Sequence, residues 1–120
     1  MKEHRFTVEK TTRFYTLGEF EQSSKLLIVL HGYGQLPQFF IRKFQSLVDK
    51  GYFVVAPEGL HRFYLEGTSG RVGASWMTRE ARLDDITDNL NYIKGLTTQF
   101  LSQKQFEKTV LLGFSQGGAT

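Results

Sequence analysis

Residues Thr109-Val-Leu-Leu-Gly-Phe-Ser-Gln-Gly-Gly118 decide how this chain is read. Thr109 to Leu112 is an apolar run that predicts a buried strand. Gly113 and Gly117 then flank Ser115, two positions to either side. A strand that turns sharply into a helix with a hydroxyl at its apex strains the apical residue. It needs small neighbours at those two positions so that strand and helix can approach each other. A helix beginning at Ser115 would aim its free N–H groups at the point where a carbonyl oxygen gains negative charge. Ser115 is therefore the candidate catalytic nucleophile. The bare Gly-x-Ser-x-Gly pattern arises by chance in about one chain of this length in ten. Its weight comes from its place directly after an apolar strand. The competing reading is a glycine-rich turn that binds phosphate or only packs tightly.

Upstream, Leu26-Leu-Ile-Val-Leu30 is apolar at every position, the pattern of a strand covered on both faces. It ends on His31-Gly-Tyr-Gly34, where Gly32 and Gly34 would let a backbone N–H face a reacting carbonyl. His31 is expected to shape this loop by hydrogen bonding. Pro37 opens a predicted helix that carries Phe40, Phe44 and Leu47 on one stripe, widened by Ile41 and Val48, and stops at Gly51. Tyr52 to Ala56 is a second buried strand, ended by Pro57. Gly59 to about Met77 shows no period and reads as a long connection. A second helix is expected from about Thr78 to Ser102. Leu83, Ile86, Leu90, Ile93, Leu96 and Phe100 would form its apolar face, with Gly95 as a weak point. His4 to Leu17 reads as a hairpin or a pair of edge strands. Strand, helix, strand, helix, strand predicts an α/β fold: a mostly parallel sheet with helices on both faces.

Composition narrows the function classes. The chain has 120 residues, 40% hydrophobic and 22% charged, which suits one globular domain or a large piece of one. Its formal net charge of +3 is scattered, with no run of five or more like charges, so no nucleic-acid surface is expected. It has no cysteine, which excludes a disulfide framework, a thiolate nucleophile and a cysteine-based zinc site. No apolar run is long enough to span a membrane, and the start lacks the apolar core of a signal peptide. A cytoplasmic location is the expectation. No Gly-x-Gly-x-x-Gly follows a strand and no Gly-Lys-Ser/Thr closes a loop, which weighs against a nucleotide-binding protein.

The chain resembles the phospholipase/carboxylesterase family of α/β-hydrolases, which includes acyl-protein thioesterases. The likeness rests on Leu30-His-Gly-Tyr-Gly34, Val55-Ala-Pro57 and Leu112-Gly-Phe-Ser-Gln-Gly-Gly-Ala119, and it runs in order from Leu26 to Thr120. It implies hydrolysis of a small carboxylic ester or thioester through an acyl-serine intermediate, without metal or cofactor. It also implies that the main-chain N–H groups of Tyr33 and Gln116 are the oxyanion donors. The stretch from Gly67 to Trp76 would wall an acyl or alcohol pocket. Trp76 is either part of that wall or a structural residue beneath it.

In this fold the triad acid and base follow the nucleophile along the chain. Only Gln116 to Thr120 follow Ser115, and none is an acid or a base. Residues 1–120 are thus expected to be the N-terminal part of a single α/β-hydrolase domain, truncated after the nucleophile turn and inactive alone. The last strand would then have an open edge able to pair with a second copy. The alternative is a non-catalytic binding protein of the same fold.

Overall fold

The computed structural model describes residues 1–114 and Gly117. Four strands form one mixed sheet: β1 (Phe14–Leu17), β2 (Lys25–Leu30), β3 (Tyr52–Pro57) and β6 (Lys108–Gly113), in the order β1-β3-β2-β6. β2 runs parallel to both β3 and β6, and β1 is antiparallel to β3. Between β2 and β3 lie two short helical turns, α1 (Pro37–Phe40) and α2 (Gln45–Val48). Between β3 and β6 come a two-stranded hairpin, β4 (His61–Glu66) with β5 (Ser69–Ser75), and the long helix α3 (Arg82–Gln103). The chain is therefore a mixed α/β fold with a mostly parallel sheet.

The unbroken apolar character of β2 follows from its position. Leu26, Ile28 and Leu30 join Phe53, Val55 and Trp76 on one face, under Ile93, Leu96 and Phe100 of α3. Leu27 and Val29 point the other way and join Val54 and Ala56 against Phe40 and Ile41. Two buried faces leave no position for a polar side chain, and each such burial contributes about 1.5–3 kcal/mol.

Several expectations need correction. The helix expected from Pro37 to Lys50 is interrupted: Ile41–Phe44 tightens into a 3₁₀ turn between α1 and α2. The expected long connection is the β4–β5 hairpin, whose turn uses Gly67 and Gly70 at φ +80° and +86°. Its residues are mostly exposed up to Val72, so no core periodicity marked it. The second helix starts at Arg82, after Ala81 at φ +52°. Asp85 accepts the Thr78 N–H at 3.2 Å and draws residues 78–81 into a turn. The buried line of α3 is Asn89, Ile93, Leu96 and Phe100, while Leu83 and Leu90 are exposed. Asn89 takes the inward place because its side chain donates to the Trp76 carbonyl at 2.8 Å.

At the start of the chain, only Phe14–Leu17 is a strand. Phe6 and Val8 lie exposed on an arm held by ion pairing of Arg5 with Asp84 and by Lys10 donating to the Leu60 carbonyl. β6 is not the fully buried strand expected. It pairs with β2 alone among the described residues, and Leu111 and Leu112 are exposed. Among the described residues no helix is long and apolar enough to cross a membrane.

Candidate functional site

The two crossovers place their strands on opposite sides of β2, the first running from β2 to β3 and the second from β3 to β6. One passes over the α1–α2 face to β3, the other over the α3 face to β6. A reversal of this kind opens a crevice at the carboxyl ends of the strands, where open α/β sheets bind their ligands. The His31–Gly34 loop leaves β2 there, and the Gly113–Gly117 turn leaves β6 beside it. Leu30 and Gly113 are register partners, so the loops depart from the same level. The pairing runs one residue further, with Phe114 N–H donating to the Leu30 carbonyl at 3.0 Å.

Gly117 N–H donates to the Phe114 carbonyl at 3.0 Å, which holds position 117 near the end of β6. A Cβ at Gly117 would lie 2.4 Å from the Leu30 oxygen and 2.7 Å from the His31 oxygen. Glycine is required there because the returning backbone presses on the end of β2. Ser115 and Gln116, the candidate nucleophile and one candidate oxyanion donor, lie outside the described residues. Gly113 is the last residue of β6.

The loop after β2 is tightly fixed. The Gly32 N–H donates to Gln35 Oε1 at 2.6 Å, and the Gln35 N–H donates to the Gly32 carbonyl at 3.2 Å. Gly34 adopts φ +76°, a conformation that side chains disfavour. The β5 strand clamps the loop from outside, since Gly34 N–H donates to Ala74 O at 2.9 Å and Ala74 N–H to Gln35 O at 3.0 Å. Gly73 makes this approach possible, because a Cβ there would sit 2.3 Å from the Gly34 oxygen. Tyr33 rides at the top of the loop with its ring exposed and tilted over Phe63 at 5.1 Å. Among the described residues its N–H has no acceptor. An N–H without an acceptor in a loop fixed this way can receive an anionic oxygen without reorganising.

His31 lies beneath, wholly buried. Its Nε2 accepts the Gly59 N–H at 2.9 Å, which places the ring proton on Nδ1, 2.8 Å from the Gly32 carbonyl. Burial holds its pKa below the ordinary imidazole range, against smaller upward pulls from the Gly32 carbonyl and Glu58. Both ring nitrogens are engaged, so His31 shapes the loop and has no nitrogen left to take a proton from Ser115. Trp76 is wholly buried as well. Its Nε1 donates to the His31 carbonyl at 2.9 Å, and its ring packs on His31 at 5.1 Å. Trp76 thus supports the loop from below.

His61 stands apart, exposed, with Nε2 3.1 Å from Asp85 Oδ1. Among the described residues no cluster of three His, Asp or Glu side chains could hold a metal ion. Sequence reasoning missed Gln35, Gly73 and Asn89, which fix the loop and its support. Only the spacing of Gln35 from Gly32 carried a local signal, that of a closed turn. No family model and no curated protein matches the chain.

Proposed function

We propose that this chain carries the nucleophile and the oxyanion donors of a serine hydrolase of the α/β-hydrolase fold, acting on carboxylic esters or thioesters. Ser115 attacks the carbonyl carbon, the alcohol or thiol leaves, and water then releases the acyl group from the serine. The N–H groups of Tyr33 and Gln116 receive the charge that develops on the carbonyl oxygen, a contact worth about 2.7–4 kcal/mol per donor. One observation carries the reading. The Leu30–Gly113 register, with Gly117 pressed on the carbonyls of Leu30 and His31, brings both glycines of the Gly-x-Ser-x-Gly motif to the end of β2, where the glycine loop begins.

Such a serine needs a His and an acid to become a nucleophile. His31 is fully engaged within its loop, and His61 is tied to Asp85 at the surface. Among the described residues neither histidine is placed to activate Ser115. In the whole protein a fluorophosphonate probe is expected to label Ser115, and Ser115→Ala to abolish labelling without loss of fold. A folded protein that resists the probe would leave the alternative, a binding protein on the same scaffold.

A further inference from the structure

An apolar groove of about 470 Å³ runs from the clamped loop at Gly34 and Gln35, between α1 and the β4–β5 hairpin. Its walls are Leu36, Phe39, Phe40, Leu65 and Val72. The charged side chains that line it are Lys43 and Arg71, and no carboxylate lines it. Neither cation has an acidic partner within salt-bridge distance among the described residues. Lys43 is held in place by aromatic faces, its Nζ 5.6 Å from the Phe40 ring centroid and 4.9 Å from that of Phe114. Phe114 immediately precedes Ser115 in sequence, so a cation of this groove packs on the residue before the candidate nucleophile.

We propose that this groove selects an amphiphilic anion: a substrate with an apolar chain or ring along the groove and a carboxylate or phosphate group between Lys43 and Arg71. The two cations are exposed and line an otherwise apolar slot. An anion there gains charge-assisted hydrogen bonds while its apolar part leaves water. A neutral chain gains only the second of these, and a free anion only the first. As an account of substrate choice the proposal rests on the reading of Ser115 as nucleophile. As an account of binding it does not.

The test measures both. Calorimetric titration of the protein with octanoate, octyl phosphate, 1-octanol and inorganic phosphate reads binding without chemistry. Octanoate and octyl phosphate are expected to bind about tenfold more tightly than 1-octanol or phosphate alone. Lys43→Gln with Arg71→Gln, both surface changes, should erase that preference and leave the weak binding of octanol. Equal affinity for octanoate and octanol, or an unchanged preference in the double variant, overturns the proposal. Inorganic phosphate binding as tightly as octyl phosphate also overturns it, since the apolar walls would then contribute nothing. Hydrolysis supplies the second arm, comparing the nitrophenyl monoester of an eight-carbon dicarboxylic acid with nitrophenyl octanoate. Turnover without anion preference sinks the groove assignment alone. Anion binding without labelling of Ser115 sinks the hydrolase reading and leaves the groove standing.

Discussion

The Leu30 carbonyl accepts the Phe114 N–H at 3.0 Å, and the same carbonyl lies 2.4 Å from where a Cβ on Gly117 would stand. One oxygen thus ends the β2–β6 ladder and bounds the turn that follows. The turn can close only while position 117 has no side chain.

Gly117→Ala therefore meets backbone, which cannot yield as a flexible side chain could. The turn must open, and the overpacking should cost about 1–3 kcal/mol. Urea unfolding is expected to show that loss, and probe labelling of Ser115 to fall at least about tenfold if the turn sets the hydroxyl. An alanine variant with unchanged stability and labelling would contradict the geometry.

Gly73→Ala separates the site from the core. Its Cβ would stand 2.3 Å from the Gly34 oxygen, so β5 must lift from the loop that carries Tyr33. The exposed part of the hairpin, up to Val72, adds little to either core cluster. Labelling and hydrolysis should fall about tenfold or more, while the unfolding midpoint shifts less than for Gly117→Ala. A stability loss as large as that of Gly117→Ala, with activity retained, would show that the clamp serves folding alone.

Buried His31 makes stability depend on pH in a definite direction. Its native pKa is depressed, chiefly by burial, from an unfolded value of about 6.5. Above that value both states are neutral and the group adds no slope. As pH falls below about 6.5 the unfolded chain takes up a proton that the native state refuses. Stability is then lost at up to about 1.4 kcal/mol per pH unit, until the native pKa is reached. Urea midpoints from pH 7.5 to 5 should fall on the acid side and keep that slope in His61→Gln. Nitrogen-resolved NMR should find the His31 ring as the Nδ1–H tautomer, titrating below the free-imidazole range.

The α/β alternation was legible because it is written in burial. Leu26 to Leu30 and Tyr52 to Ala56 are apolar at successive positions because two faces must be filled, and both are strands where expected. The hairpin was not legible. β4 and most of β5 are exposed, and β5 is tied to the loop after β2 by backbone hydrogen bonds that no side-chain pattern encodes. The face of α3 was misjudged at Leu83 and Leu90 for a related reason. A polar residue, Asn89, is buried to satisfy the Trp76 carbonyl, and that contact joins residues 13 apart in sequence. At the site the glycines were readable, since their spacing states a steric need. The bond from Gly59 to His31 joins residues 28 apart and was not readable, whereas that between Gln35 and Gly32 closes a local turn.

The open edge of β6 predicts self-association of this 120-residue chain. Leu111 and Leu112 are exposed beside a strand paired on one side only among the described residues. Unpaired, apolar edges recruit further strands. Sedimentation should show an average mass that rises with concentration, and Leu111→Lys should suppress the rise. A chain that stays monomeric throughout the micromolar range would show that the edge is already protected.

Arg13 and Glu58 join the start of β1 to the end of β3, with Nη2–Oε1 at 2.5 Å and Nε–Oε2 at 3.1 Å. Glu58 is 2% exposed while the Arg13 side chain keeps 44% of its surface. Backbone bonds reinforce the join: Glu58 N–H donates to Arg13 O at 2.9 Å, and the Tyr92 hydroxyl donates to Glu58 O at 3.1 Å. Burial pushes the Tyr92 phenol up to about 12, so it remains a donor through the neutral range. Arg13→Met strands a buried carboxylate, a loss of about 3–5 kcal/mol for a wholly buried pair. Water at the half-exposed guanidinium reduces that to about 2–3 kcal/mol. Adding Glu58→Leu removes the stranded charge along with its partner. The double variant is therefore expected to be more stable than Arg13→Met alone, and with Glu58→Leu measured as well the urea-derived coupling is expected to be about 1–2 kcal/mol. Additive losses would mean that the two side chains contribute separately, through packing and not through their shared charge.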